Sequence, residues 1–231
     1  VAGVHLRPHL PEVLGSLMET LSSLEPATLA YMQFHAASLD MTQEQLESAR
    51  ISLARSSPLS GAIDTCLGLV DAASAPAVAA KLEDLLRSGV GLQTLTAAAK
   101  AVVALTSGQG VAKYRSVMVE AVPSLARVLG NGLMEATPAV RKLYATALAH
   151  CCKIAKKKRA AKIISFAASL FGVAETSGSG AGSSDSAAAT KPTPIPAAAA
   201  AAPLTGRLAA AIAFREIVRV APDAAKAHAV V

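Results

Sequence analysis

The sequence predicts an all-α chain built as a helical-repeat solenoid, and three observations carry that prediction. Over its 231 residues, apolar side chains recur at the three- and four-residue spacing of amphipathic helices almost throughout. Aromatic residues are scarce, with four Phe, three Tyr and no Trp. Sandwiches and barrels rely on aromatic and β-branched side chains to cover pleated faces, whereas the Ala and Leu that dominate here favour helices. Third, apolar helical segments close on glycine at a nearly fixed interval, in Leu85-Leu86-Arg87-Ser88-Gly89, Ala126-Arg127-Val128-Leu129-Gly130 and Ala168-Ser169-Leu170-Phe171-Gly172, the glycines lying 41 and 42 residues apart.

Taken in order, residues 10–24 place Leu10, Val13, Leu14, Leu17, Leu21 and Leu24 on one helical stripe. Pro26 suits the first position of the next helix, where its missing amide hydrogen costs nothing, and Tyr31 and Phe34 follow on its apolar side. Thr42-Gln43-Glu44-Gln45 reads as an N-cap with an acidic first turn, opening a helix to Arg55 that carries Leu46, Ala49, Ile51 and Leu53. Ser57 and Pro58 stop it and start another through Leu67, Leu69 and Val70.

From about residue 75 the pattern becomes periodic. Each closing glycine is expected in the left-handed conformation that ends a helix without a Cβ clash. Second helices are predicted over Thr94–Leu105, Thr137–Ile154 and Gly206–Val220, and Pro222-Asp223 opens a further one. Two helices per unit of about 40 residues is the spacing of HEAT and armadillo arrays. The chain therefore divides into HEAT-like repeats over 1–174, an Ala/Ser/Gly/Pro-rich insertion over 175–203, and a continuation of the repeats over 204–231. The insertion has no apolar periodicity to offset the entropy of ordering it, so it is predicted to be disordered. Such a segment spans on the order of 30 Å, ample to join helix ends about 10 Å apart within one repeat. Within it Pro192-Thr193-Pro194-Ile195-Pro196 reads as a spacer, with docking to an aromatic groove as a second reading.

No stretch reaches about 18 uninterrupted apolar residues, so membrane insertion is not expected. The opening Val-Ala-Gly-Val-His-Leu-Arg-Pro reads as the interior of a longer protein rather than as a signal peptide. Three cysteines, Cys66, Cys151 and Cys152, form no even framework and point to a reducing, intracellular compartment. The surplus of six positive charges is spread along the chain; it suits acidic partners and gives no sign of nucleic acid.

Candidate chemistry is sparse. Ser107-Gly108-Gln109-Gly110-Val111-Ala112-Lys113 lacks the Gly-Lys-Ser/Thr ending of a phosphate loop and follows a helix, and Gly89-Val90-Gly91 fails likewise. His150-Cys151-Cys152 offers three zinc-binding side chains, but helix neighbours diverge by about 100° and no second pair completes a shell, so buried cysteines beside a histidine is the expected state. His5 and His9, four residues apart, lack a third ligand. No nucleophile elbow is present, and neither catalysis, cofactor nor metal is predicted. The strongest charge feature runs from Lys153 to Lys162 through Lys156, Lys157, Lys158 and Arg159. It reads first as a solvated turn whose cations stabilise a helix C-terminus, and second as a nuclear import signal or a patch for an acidic partner.

One set of blocks is more distinctive. Leu21-Ser22-Ser23-Leu24-Glu25-Pro26, Leu29-Ala30-Tyr31, Ser48-Ala49-Arg50-Ile51-Ser52-Leu53-Ala54-Arg55-Ser56-Ser57-Pro58, Cys66-Leu67 and Leu85-Leu86-Arg87-Ser88-Gly89-Val90-Gly91-Leu92 resemble, in order and spacing, the C-terminal half of the Ecm family of proteasome adaptor and scaffold proteins, which are large HEAT-repeat solenoids. The resemblance is specific over about residues 10–106 and collinear beyond, with the insertion departing from the family pattern. It implies a non-catalytic segment that binds the 26S proteasome and helps tether its regulatory particle to its core particle, in cytoplasm and nucleus. The alternative is a scaffold of another kind, a nuclear transport receptor or phosphatase scaffold, binding acidic partners. Within the blocks Arg50, Arg55 and Arg87 are the residues whose chemistry exceeds packing, and with Lys156, Lys157, Lys158 and Arg159 they form the predicted partner-binding set. A structural role for the Ser-Ser-Pro and Arg-Ser-Gly-Val-Gly blocks, as caps and turns, is the competing reading.

Overall fold

In the computed structural model the described residues are 5–23, 27–36, 38, 40–107, 111–135, 137–170 and 204–229. After a 3₁₀ turn at Arg7–His9 they form eleven α-helices and no strand: α1 Leu10–Ser23, α2 Ala27–Phe34, α3 Gln43–Ser56, α4 Pro58–Gly68, α5 Ala75–Ser88, α6 Leu92–Ser107, α7 Val111–Glu135, α8 Pro138–Ile154, α9 Lys157–Ser169, α10 Leu204–Val220 and α11 Pro222–Ala229.

Local chemistry sets several of these boundaries. The Thr42 hydroxyl accepts from the Gln45 amide at 3.2 Å while the Gln45 side chain accepts from the Thr42 amide at 2.8 Å, a complete capping box at the start of α3. Ser57 ends α3 and caps α4, accepting from the Leu59 amide at 3.3 Å, with Pro58 in the first turn. Between α4 and α5 the Asp71 carboxylate accepts from the amides of Ala73 and Ser74 at 3.1 and 2.9 Å. The Ser74 bonds and the nearby Arg7 guanidinium hold that carboxyl below its usual range.

The helices stack in two layers. Helices α1, α5, α7, α9 and α11 follow one another in the first, and α3 with α4, then α6, α8 and α10, in the second. Pairs close across the layers, α5 on α6 and α7 on α8, and each helix also touches its counterpart in the adjacent pair. This is the quasi-one-dimensional packing of repeat proteins, in which an apolar face is covered only by its neighbours. Leu10, Leu14, Met18, Leu82, Leu105, Met118, Leu125, Leu129, Leu133 and Leu148 lie fully buried between the layers. Helix α10 seats on α8 and α11 on α9, so the two-layer order continues in the helices after residue 203. The predicted insertion itself, with its polyproline segment, lies outside the described residues, as do Leu24 and Pro26.

Four expectations are corrected. Gly89 ends α5 with φ −62° and ψ 136°, an extended conformation; the left-handed residue of that block is Gly91, with φ +94°. Gly130 does not end a helix: α7 continues through it to Glu135. The reason is lateral packing, since a Cβ on Gly130 would lie 2.6 Å from the Phe166 ring of α9, and one on Gly132 would collide with the Tyr144 ring of α8. Tyr31, Phe34 and Leu53 are exposed rather than facing a core, Phe34 by 85%. Helix α2 packs mainly on α3, and its aromatic rings gather around His35, at 4.3 Å for Tyr31 and 5.1 Å for Phe34. Finally, the basic run does not sit at a helix C-terminus: Lys156 is the N-cap of α9, and Lys157, Lys158 and Arg159 occupy its first turn, where the helix dipole disfavours positive charge. Only Lys153, in the last turn of α8, has the favourable placement.

Candidate protein-binding surface

The unfavourable placement of the basic run is relieved by an acid from the neighbouring pair. Glu120 of α7 receives Lys156 Nζ at 3.0 Å and Arg159 Nη2 at 3.1 Å. Those two cations, Lys156 foremost, hold the Glu120 carboxyl below its usual range. Arg159 does more. Its Nη1 donates to the backbone carbonyl of Val119 at 2.9 Å. Pro123 stands four residues on in the same helix and has no amide hydrogen, so in a regular helix that carbonyl would be left without its partner. The guanidinium supplies the missing donor, which ties α9 to α7. Lys157 and Lys158 are exposed and have no ion-pair partner among the described residues.

The three arginines of the distinctive blocks do not converge on this run. Arg50 lies on α3 in the second layer and donates to the Gln33 side-chain carbonyl of α2 at 2.5 Å. Arg55 belongs to α3, but its side chain lies outside the described residues. Arg87, on α5 in the first layer, pairs with Glu83 one turn earlier, and the same carboxylate lies 3.9 Å from Arg127 of α7. Glu83 thus links successive first-layer helices through Arg127 alone, since Arg87 stands on its own helix.

The blocks themselves meet in space. Ser22 of α1 accepts from the Thr94 amide in the first turn of α6 at 3.0 Å. The Thr94 hydroxyl donates to the Met18 carbonyl at 3.0 Å, which leaves the Ser22 hydroxyl to donate to Thr94 Oγ1 at 2.7 Å. A helix is therefore capped in trans by a serine 72 residues away, and Gly91 passes close against that serine. Here the turn-forming role of the Gly89-Val90-Gly91 block is met.

Sequence reasoning missed a groove between α7 and α9. Val122, Pro123, Ala126, Ile163 and Phe166 form its apolar walls, Leu148 closes the floor, and Arg127, Arg159 and Lys162 stand on its rim. Its volume is about 240 Å³, and Phe166 remains 36% exposed. A wider cleft of about 660 Å³ shares Arg127 and Asn131 with it and reaches Arg87 and Tyr144. The sequence signal was Pro123 inside an otherwise helical apolar pattern, which marks a backbone defect that another element must serve.

Cys151 and Cys152 are buried in α8, where burial pushes their thiols up to about 12 and about 11. Among the described residues no group of three or more His, Cys, Asp or Glu is placed to hold a metal, and no helix is long and apolar enough to cross a membrane.

Stacked helix pairs with polar contacts bridging successive units define a HEAT-type helical-repeat segment. The HEAT-repeat domain model of the proteasome adapter and scaffold protein ECM29 matches residues 6–172, and the chain belongs to that family. It is 32% identical to the human proteasome adapter and scaffold protein ECM29 over 165 residues, which cover 71% of this chain and 8% of that protein. The proteasome component ecm29 of Schizosaccharomyces pombe is 22% identical over 149 residues, 64% of this chain and 9% of that protein. The chain therefore spans less than a tenth of the length of these relatives. No solved structure matches it.

Proposed function

We propose that this chain is a non-catalytic scaffold segment that binds the 26S proteasome and helps tether its regulatory particle to its core particle. The observation that carries this reading is the family match over residues 6–172, together with relatives named as a proteasome adapter and scaffold and as a proteasome component. The two-layer stack suits such a role, because it offers extended surfaces along which many moderate polar contacts can be distributed. Within the partner-binding set we favour the two lysines that no ion pair engages among the described residues. Lys157 and Lys158 are exposed and available, whereas Arg159 is engaged in joining α9 to α7 and Arg87 in the Glu83 link. We place the protein in cytoplasm and nucleus, the exposed basic turn supporting import; unchanged nuclear fraction after Lys156, Lys157 and Lys158 are each replaced by Ala would dismiss the import role.

The test is affinity capture from cell extract with the full-length protein that contains these residues, read on native gels for both proteasome particles. Joint recovery of regulatory and core particles, lost when the segment is excised, supports tethering. Recovery of nuclear transport or phosphatase subunits in place of proteasomes sinks it.

A further inference from the structure

The groove between α7 and α9 combines three properties that the scaffold reading does not by itself require. Its walls are apolar and include an aromatic ring left more than a third exposed. Its rim carries Arg127, Arg159 and Lys162, and among the described residues no carboxylate lines it. Its shape is fixed in advance, because the Arg159 bond to the Val119 carbonyl holds the two helices at the point where Pro123 interrupts the backbone ladder, and Gly130 lets the Phe166 ring lie directly against α7. A groove held open before its ligand arrives loses little entropy on binding.

We infer that this groove is a docking site for an acidic peptide segment of a partner protein, which inserts one large apolar side chain between α7 and α9 and places carboxylates against Arg127 and Lys162. The inference rests on the scaffold reading only in taking the partner to be a protein. The size of the cavity, about 240 Å³, suits one such side chain and is too small for a nucleotide or other large cofactor. The charge selects the flanking residues. Lys162 has no carboxylate partner among the described residues, and Arg127 reaches Glu83 only at 3.9 Å, a carboxylate already held closely by Arg87. Two rim cations thus retain most of their capacity for an incoming anion. The chain's own residues 171–203 follow α9 in sequence and are the competing occupant to test, but their sequence contains only Glu175 and Asp185 against Lys191, widely separated and with no acidic run.

The experiment uses the full-length chain and a fluorescein-labelled twelve-residue probe in which Asp and Glu flank a central Leu-Phe pair, followed by fluorescence anisotropy. Two control probes replace the Leu-Phe pair by Ser-Ser or every acid by its amide. Lys162→Glu is expected to weaken binding of the anchored acidic probe about tenfold, and Ala126→Met, which fills the groove, by a similar factor with an unchanged melting temperature. Lys142→Glu, at an exposed position of α8 outside the groove lining, makes the same charge change and is expected to alter affinity less than about threefold. Equal binding of the Ser-Ser probe, or equal loss from Lys142→Glu and Lys162→Glu, overturns the site in favour of a diffuse basic surface. A tenfold gain on deleting residues 171–203 overturns it in favour of the chain's own segment. Failure of the wild-type full-length protein to capture proteasomes, by contrast, bears on the scaffold reading and leaves the peptide measurement intact.

Discussion

Arg159 and Val119 are joined by a 2.9 Å hydrogen bond from a guanidinium on one helix to a backbone carbonyl on another, at the turn of α7 that Pro123 deprives of its amide donor. This makes the two side chains at 123 and 159 energetically dependent although one acts only through what it lacks. Arg159→Ala is expected to cost about 1 kcal/mol, the value for a hydrogen bond from a charged donor reduced for a partly exposed site. Pro123→Ala restores a backbone donor and is expected to stabilise, since Pro costs about 3 kcal/mol relative to Ala in a helix interior. In the Pro123→Ala background the Arg159→Ala penalty should shrink by about half or more. Urea denaturation of the four proteins measures the coupling; strict additivity would show that the arginine answers some other need.

Gly91 should be the least replaceable glycine of the described chain. Its φ of +94° is unfavourable for any residue with a Cβ, and that atom would sit 2.5 Å from Ser22 Oγ. Gly91→Ala is expected to lose about 2 kcal/mol or more. Ser22→Ala, which removes the acceptor for the Thr94 amide, should lose about 1 kcal/mol. Adding Ser22→Gly to Gly91→Ala should recover the steric part and leave the dihedral strain together with the loss of the Thr94 cap that Ser22→Ala measures alone, a distinction that thermal melts of the three variants will show.

Stability should fall as the medium becomes mildly acidic. Burial lowers the His150 imidazole from its ordinary value of 6.5, Lys153 and Arg219 act in the same direction, and Glu216 opposes them. Its Nδ1 is buried with no hydrogen-bond partner among the described residues. The folded state therefore binds this proton less readily than the unfolded state does. As pH drops below about 6.5 the unfolded chain takes up the proton first, and stability declines until the depressed folded value is reached. Melting temperatures between pH 7 and 5.5 should slope downward, and His150→Gln should flatten that slope. An unaltered slope would assign the effect elsewhere; Asp71 and Glu120, also lowered, act in a more acid range.

The thiols of Cys151 and Cys152, raised to about 12 and about 11 by burial, remain protonated at neutral pH and out of reach of solvent. Ellman's reagent should label neither in the native protein and both once urea unfolds it. Prompt labelling of either cysteine without denaturant would contradict the packing of α8 between α6 and α10.

What the sequence conveyed and what it withheld divide along a physical line. The Thr42 capping box and the Ser57-Pro58 junction were legible because each depends on residues a few positions apart, and the helices themselves because their apolar faces recur every three or four residues. Gly130 misled, because its reason is the ring of Phe166 on a different helix and not the end of its own. The basic run misled for a subtler cause. A break at Ala155 places Lys156 through Arg159 at the beginning of α9 rather than the end of α8, so one residue of boundary reverses the sign of the dipole interaction. The groove was invisible because its walls come from two helices brought side by side only by stacking. Arg159 stood in the predicted set as a binding residue; Val119 and Pro123, which give it a structural task, were not recognisable as its partners until α7 and α9 were adjacent.

Helix α10 rests on α8 although the chain between Ser169 and Leu204 intervenes. Placement in the stack is thus decided by the apolar face a helix presents, and not by how much chain precedes it. Lengthening that interval changes only a slowly growing closure entropy. The α9–α10 junction is accordingly a natural port, where a fluorescent reporter or an affinity tag can be spliced into the parent protein with the register of the repeats on both sides preserved.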